Sequence, residues 1–293
     1  MTAEAFYLRN SAGDTVDLNG PVYVVDHDGL LAPSIRRVWQ EGPQQHGASQ
    51  TVARLQRRVV TLGLAWVRDD TNTWTYRSDI LEIFNRPDYT VWLDTVIPAG
   101  TRRLDVRLLG GLSGPRPARH DGIMRDVVQV VADDPVFYDP TPTVYTFALA
   151  AGGSAGPIPL VIPWKIGAST LAETQTITYT GTWREYPIVK VTGPITDCVI
   201  TNNATSEKLD LTGTTIADGD YYEIDLRYGY KTVTDSSDTN QIADLTNDSD
   251  LATWHLAPHS EATDGVNSIT VTGTNANTNT VIAITYYNRY MGI

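Results

Sequence analysis

The chain has 293 residues, a hydrophobic fraction of 41% and a formal net charge of −12. That length suits one large or two ordinary domains, and such a globule buries enough surface to fold without staples. The single cysteine, Cys198, excludes an intrachain disulfide and a cysteine-based zinc cluster. The acidic balance argues against bulk phosphate binding, which needs a basic surface. No apolar run approaches the roughly 18 residues of a membrane helix. The start, Met1 to Arg9, lacks the basic-then-apolar layout of a secretory leader, so the chain is expected to stay where it is made.

Charge is uneven along the chain. Residues 1–140 carry 15 basic and 18 acidic side chains, whereas residues 141–293 carry 7 and 16. Every basic residue before Lys165 is arginine, and the second half holds 28 threonines. Two such different compositions predict two domains, 1–140 and 141–293, joined by a Pro/Gly-rich linker near 140–157.

In the first half, Phe6 to Leu8 and Pro21 to Val25 read as short strands, the second bounded by turn chemistry at Asn19-Gly20 and at residues 26–29. Residues 40–50 lack periodicity and read as a loop. Thr51 to Val67 reads as one long β run, on which Arg54 and Arg58 would share a face and Arg57 the other. The one predicted helix is short. Ser78 would be its N-cap, Asp79 and Glu82 its acidic first turn, and Ile80, Leu81 and Phe84 its apolar face, with Pro87 stopping it. Strands follow at Tyr89 to Leu93, at Arg102 to Leu109, where Arg103, Asp105 and Arg107 alternate with leucine and valine, and at Ile123 to Ala132. The second half reads as all β. Strands are expected at 174–179, 188–191, 198–201, 208–211, 221–228, 268–272 and 280–287, with turn residues between them. About seven short strands at this spacing predict a sandwich. The predicted fold class is therefore mainly β, with two β-rich domains.

Chemical motifs are sparse. Gly152 to Gly156 fits the G-x-S-x-G pattern of a nucleophile elbow, but Pro157 and Pro159 follow where a helix is required, so it reads as linker. His255 and His259 are four apart, yet Pro258 lies between them and no third ligand is evident, so they read as loop histidines. Asp235, Asp238, Asp244, Asp248 and Asp250 form an acidic cluster without the later glycine and glutamate of a calcium loop. No phosphate-cradling loop precedes a helix. No catalytic, cofactor-binding or metal residues are assigned, and no enzyme activity or cofactor is expected. Arg54, Arg57 and Arg58 form a basic patch, read either as surface ion pairs or as an oligomer contact. Trp183, Tyr186, Tyr221 and Trp254 are candidate sugar-stacking aromatics, although a sandwich core uses the same residue types.

Three places resemble the distal tail protein (Dit) family of long-tailed phages. Residues 57–64 followed by 76–86 look like that family's strand, loop and short helix. Val127 to Val131 leading into Asp133 to Tyr138 looks like the end of its first domain. Residues 186–194, 200–202, 208–211, 217–220 and 223–225, with 265–267 and 281–290, are similar in order to its second sandwich. The loop before Gly265 departs from the Pro-Gly turn that is usual there.

The resemblance implies a structural virion protein at the distal end of the tail, made in the host cytoplasm. Its first domain would be a β-sandwich closing a ring, generally of six copies, between tail tube and baseplate. Its second domain would be a galectin- or carbohydrate-module-like jelly roll projecting outward. Implied partners are other copies of the chain, the tail tube protein, the baseplate hub protein, and tape-measure or receptor-binding proteins. DNA would pass the lumen without specific binding, and no membrane contact is implied. On this reading Arg54, Arg57, Arg58, Arg103 and Arg107 are the expected ring or tube contacts. The alternative is a glycan-binding virion module with Trp183, Tyr186 and Trp254 as its platform.

Overall fold

The computed structural model describes residues 4–44, 46–67, 70–85, 89–112, 116–117, 122–148 and 171–293. Gly152 to Gly156, and the part of the predicted linker beyond residue 148, lie outside the described residues. Two compact units emerge: Met1–Pro140 with Tyr290–Ile293, and Thr141–Arg289. The second unit thus stops short of the last four residues, which pack with the first.

In the first unit the strands are β1 (Ala5–Asn10), β2 (Thr15–Asp17), β3 (Tyr23–Asp28), β4 (Ile35–Gln40), β5 (Ser49–Leu55) and β6 (Arg58–Val67). The helix α1 (Asp70–Ile83) follows, then β7 (Val91–Ile97), β8 (Gly100–Gly111), β9 (Arg116–Pro117), β10 (Ile123–Ala132) and β11 (Phe137–Tyr138). The path β2-β1-β7-β8-β10-β6-β3 is antiparallel throughout. Strand β8 turns its corner. Residues 100–106 pair with β7, and residues 107–111 pair with β10 after a bulge that leaves Leu109 without a partner. The chain can make this step because Gly111 has φ +101; a Cβ there would stand 2.1 Å from the Val127 carbonyl oxygen. Alternation then buries one face: Val60, Leu62, Leu64, Leu104, Val106, Met124, Val128 and Val130 meet Phe6, Leu8 and Leu93 in the core.

Three sequence expectations change here. The β run 51–67 is broken at Gln56 and Arg57 into β5 and β6. Residues 40–50 are the tip of a two-stranded ribbon, β4 with β5. The helix begins near Asp70, so Ser78 lies inside it and is no cap. Its buried stripe is Ile80 and Ile83 with Tyr76 and Phe84 beside them, while Leu81 points outward. Threonines and Asn72 hid the first two turns, because they weaken the apolar period that marks a helix.

In the second unit the strands are β12 (Thr143–Ala148), β13 (Leu171–Thr178), β14 (Ile188–Thr192), β15 (Ile195–Asn202), β16 (Glu207–Ile216), β17 (Tyr221–Asp225), β18 (Thr232–Asp235), β19 (Val266–Thr274) and β20 (Val281–Tyr286), while the last strand, β21 (Arg289–Tyr290), belongs to the sheet that holds β11. Two antiparallel sheets result, β12-β20-β14-β17-β18 and β13-β19-β15-β16. Their inner faces supply Val189, Val191, Ile224, Ile282 and Ile284 from one side, and Cys198, Ile200, Leu209, Ile269 and Val271 from the other. This is a face-to-face sandwich. Burial pushes the Cys198 thiol up to about 12, so it packs as an apolar side chain. No helix of the described residues is long and apolar enough to cross a membrane.

Candidate functional site

Two surfaces, one on each unit, carry the residues of interest. On the first unit, Arg58 departs most from expectation. It opens β6 at 2% exposure, with its guanidinium 4.7 Å from the centre of the Phe137 ring. Its Nε donates to the Pro135 carbonyl at 2.7 Å, Nη1 to those of Gly29 at 2.7 Å and Leu31 at 3.2 Å, and Nη2 to that of Met291 at 2.6 Å. Burial pulls its pKa down to about 10. Arg58 therefore ties two loops and the chain end together and is withdrawn from any contact surface. Nor does it share a face with Arg54, because the strand break intervenes.

Arg103 is also committed internally. It grips Asp94 through Nε at 2.7 Å and Nη2 at 2.8 Å, and stacks on Trp92 at 4.7 Å. The Asp94 hydrogen bond raises its pKa against the opposing effect of burial. Arg9 adds a third contact to Asp94 at 3.3 Å. Arg54, Arg57 and Arg107 remain exposed. Arg107 lies 3.5 Å from Asp133, with 82% of its side chain in solvent.

Beside Arg57 is a shallow hollow of about 290 Å³, lined by Gln56, Arg57, Val59, Leu109 and Val131. Val59 and Val131 are direct cross-strand partners, and the bulge points Leu109 beside them. These apolar residues were not singled out in the sequence. The adjacent pair Leu108-Leu109 at the end of a strict alternation was the available signal. The neighbouring ribbon β4–β5 is exposed along almost its whole length and shows Ile35, Val38, Trp39 and Val52 to solvent.

On the second unit the expected aromatic platform does not exist. Trp254 is 0% exposed and Tyr186 is 6% exposed, both in the core. Trp183 and Tyr221 are half-buried. Tyr221 is capped by the Lys190 ammonium, 3.5 Å from its ring centre. Instead, Tyr228 and Tyr230 stand 67% and 60% exposed in the β17–β18 loop. The strand expected to reach Tyr228 ends at Asp225, because the Asp225 carboxylate accepts the Arg227 backbone N–H at 2.9 Å and turns the chain.

His255 lies in a loop, as the sequence suggested, but it is buried. Its Nε2 faces Glu261 at 3.1 Å; its Nδ1 faces the Thr253 carbonyl at 2.8 Å and Glu207 at 3.0 Å. His259 is exposed and apart from it. The acidic cluster shapes turns. The Asp235 carboxylate accepts from Gln241 and from the Ser237 and Thr239 backbone N–H groups, and these bonds hold it below the usual carboxylate range. Asp244 accepts from the Tyr222 hydroxyl, and Asp250 from the Lys208 backbone. Among the described residues no group of three or more His, Cys, Asp or Glu side chains is placed to hold a metal.

No protein-family model matches the sequence, and no curated protein sequence does. Solved structures do match. The crystal structure of the Dit protein (gp 19.1) of phage SPP1, described as a paradigm of the hub adsorption apparatus in phages infecting Gram-positive bacteria, aligns at a TM-score of 0.64. The identity is 14%, over 97% of this chain and 98% of that one. A chain of the phage P2 baseplate, in its activated conformation with Ca, aligns over the full length of both at a TM-score of 0.49 and 8% identity. At its 14% identity the first match concerns the backbone: this chain is mainly β and shares the fold of the SPP1 Dit protein over 97% of its length.

Proposed function

We propose that the chain is a structural virion protein of a long-tailed phage, a distal tail component that joins tail tube to baseplate as a ring of about six copies. The observation that carries this reading is the fold match to the SPP1 Dit protein across both units, 97% of this chain and 98% of that one. The first unit supplies the supporting physics. Among the described residues, fourteen large apolar side chains stand exposed in it, against five in the second unit. Isolated surface leucines are ordinary, but a ribbon and a sheet face that are both apolar mark surface to be covered by protein. Another copy of the chain is the occupant a ring requires.

Arg57, Arg54 and Arg107 remain the arginines proposed for ring or tube contacts. Arg57 leads, because it borders the hollow of Val59, Leu109 and Val131. Arg58 and Arg103 serve as internal braces. The tail tube, the baseplate hub and the tape-measure or receptor-binding proteins are the further partners of this reading. DNA crosses the lumen without specific contacts, and the net charge of −12 per copy disfavours its sticking. The role is structural and not enzymatic.

Light scattering across a concentration series tests the reading, followed by negative-stain imaging. A species near six times 32.2 kDa with a central hole is the expected result. A chain that stays monomeric alone and also fails to close on purified tail tubes overturns it.

A further inference from the structure

We propose that the β17–β18 loop of the second unit is a carbohydrate-binding platform, which stacks a pyranose ring on Tyr228 and Tyr230 and holds its hydroxyls with Arg227. The loop runs Leu226 to Lys231. Leu226 is fully buried and anchors one end, with its N–H donating to the Pro187 carbonyl at 3.1 Å. The turn closes through the Tyr230 N–H on the Arg227 carbonyl at 3.2 Å, with Gly229 between the two tyrosines at φ +85. Arg227 is bound to Asp225 through Nε at 3.0 and 3.2 Å and through Nη2 at 2.7 Å.

Both rings are held before any ligand arrives. The Arg227 guanidinium lies 4.4 Å from the Tyr230 ring centre. Tyr228 meets Tyr186 edge-on at 4.7 Å, and their hydroxyls are 3.1 Å apart. Beneath this pair the Lys231 ammonium sits 4.3 Å from the Tyr186 ring centre and 5.6 Å from that of Tyr228. Each exposed ring is thus supported from within the protein by a cation or a second ring and shows the rest of its surface to water. A ring already fixed in orientation loses little freedom on binding.

The chemistry available fits a sugar. The negative face of a tyrosine ring attracts the polarised C–H groups on the apolar face of a pyranose. Arg227 Nη1 makes no hydrogen bond among the described residues and has two N–H donors for neighbouring hydroxyls. The patch is too small for a stable protein interface, which takes about 800 Å² per partner around an apolar centre. The unit's other exposed large apolar side chains stand elsewhere: Val144 on the opposite edge strand β12, Val266 on the other sheet, and Ile242 past the far end of β18. Two pinned aromatics in polar surroundings match one or two sugar rings.

The test uses the purified full chain on an array of bacterial and fungal polysaccharides and their oligosaccharides, then titration with the best-bound hexose oligomer. Binding is expected, weakened about tenfold by Tyr230→Ala and by Tyr228→Ala, as the loss of one aromatic contact implies. Tyr230→Trp and the distant Ile242→Ala should retain it. Hydrogen exchange of the core strands, unchanged in every variant, confirms that the sandwich is intact. Absence of binding to every saccharide on the array overturns the proposal, and so does binding that survives both tyrosine substitutions. Neither outcome bears on ring assembly, which rests on the other unit.

Discussion

The first unit buries Arg58 and Arg102 and exposes fourteen large apolar side chains; the second buries Asn202 and Asn267 and exposes five, among the described residues. Arg58 in the one and Asn267 in the other do similar work, since each ties several backbone carbonyls from different loops to one side chain. Asn267 accepts the Ala257 N–H at 2.8 Å and donates to the Ala257 and Gly265 carbonyls at 3.0 Å, while Asn202 reaches both it and the His255 carbonyl. The difference lies at the surface. The second unit has closed its own core, whereas the first shows an apolar ribbon and an apolar sheet face. A fold that is finished inside and unfinished outside is one whose stability and assembly should separate under mutation.

The largest effect should come from Arg58→Ala. It removes the only side chain that donates to the carbonyls of Gly29, Leu31, Pro135 and Met291 among the bonds described above. Hydrogen bonds from a charged donor contribute about 1.5–3 kcal/mol each, so losing four of them should cost the first unit about 3 kcal/mol or more even where water replaces a donor. Hydrogen exchange read peptide by peptide should show β6 and β11 deprotected, with β14 and β19 unchanged. Next is Asn267→Leu, with about 2–4 kcal/mol lost in the second unit through its buried hydrogen bonds. The two variants should give mirror-image exchange patterns; loss of protection in both units from either one would refute the separation.

An acid scan sharpens the contrast. In the second unit Asp210, Asp225 and Glu261 are partly desolvated, which pushes their pKa values up, but hydrogen bonds and ion pairs win and hold all three below the usual range. The partners are Thr212 and Lys208, Arg227, and Arg184 with His255, respectively. A carboxylate depressed in the folded state contributes stability above its unfolded pKa of about 4 and loses it as pH falls through the folded value. Asp105 of the first unit goes the other way. Burial raises it, outweighing the Tyr138 hydrogen bond, so its penalty is present at neutral pH and relieved by acid. Between pH 6 and 3 the second unit should therefore lose exchange protection sooner than the first. Simultaneous loss would show that these groups do not set the order.

How much of this was legible in the sequence depends on which face a residue serves. Strands such as Ile123–Ala132 were readable to the residue, because one buried face enforces a period of two. The helix start was hidden, since the sequence Asp70 to Thr73 contains no apolar residue to begin a helical period. Arg58 read as surface because arginine usually is; its burial depends on carbonyls from residues 29, 31, 135 and 291, which no local pattern brings together. Trp254 and Tyr186 had the right residue types for a sugar platform, but composition cannot separate a core aromatic from an exposed one. The exposed pair, Tyr228 and Tyr230 around Gly229, had a turn signature that the apparent strand 221–228 concealed.

The smallest expected effect on folding, and the one that isolates assembly, is at the hollow. Val59 is 44% exposed and Leu109 is 55% exposed, so Val59→Ser with Leu109→Ser should shift stability within about 0.5 kcal/mol per site. Arg57→Ala, on the same rim, should be as mild. If another copy covers this hollow, the same substitutions remove apolar area and an arginine fork from the interface, and association should weaken about tenfold or more. Ile242→Ala is the paired control, because its 43% exposed side chain belongs to the second unit and to none of the proposed ring contacts. Sedimentation or light scattering at matched concentrations should then rank the variants by mass while their melting curves overlay. Equal assembly for the hollow variants and the wild-type chain would move the interface off this face and onto the β4–β5 ribbon, the other exposed apolar element of the unit.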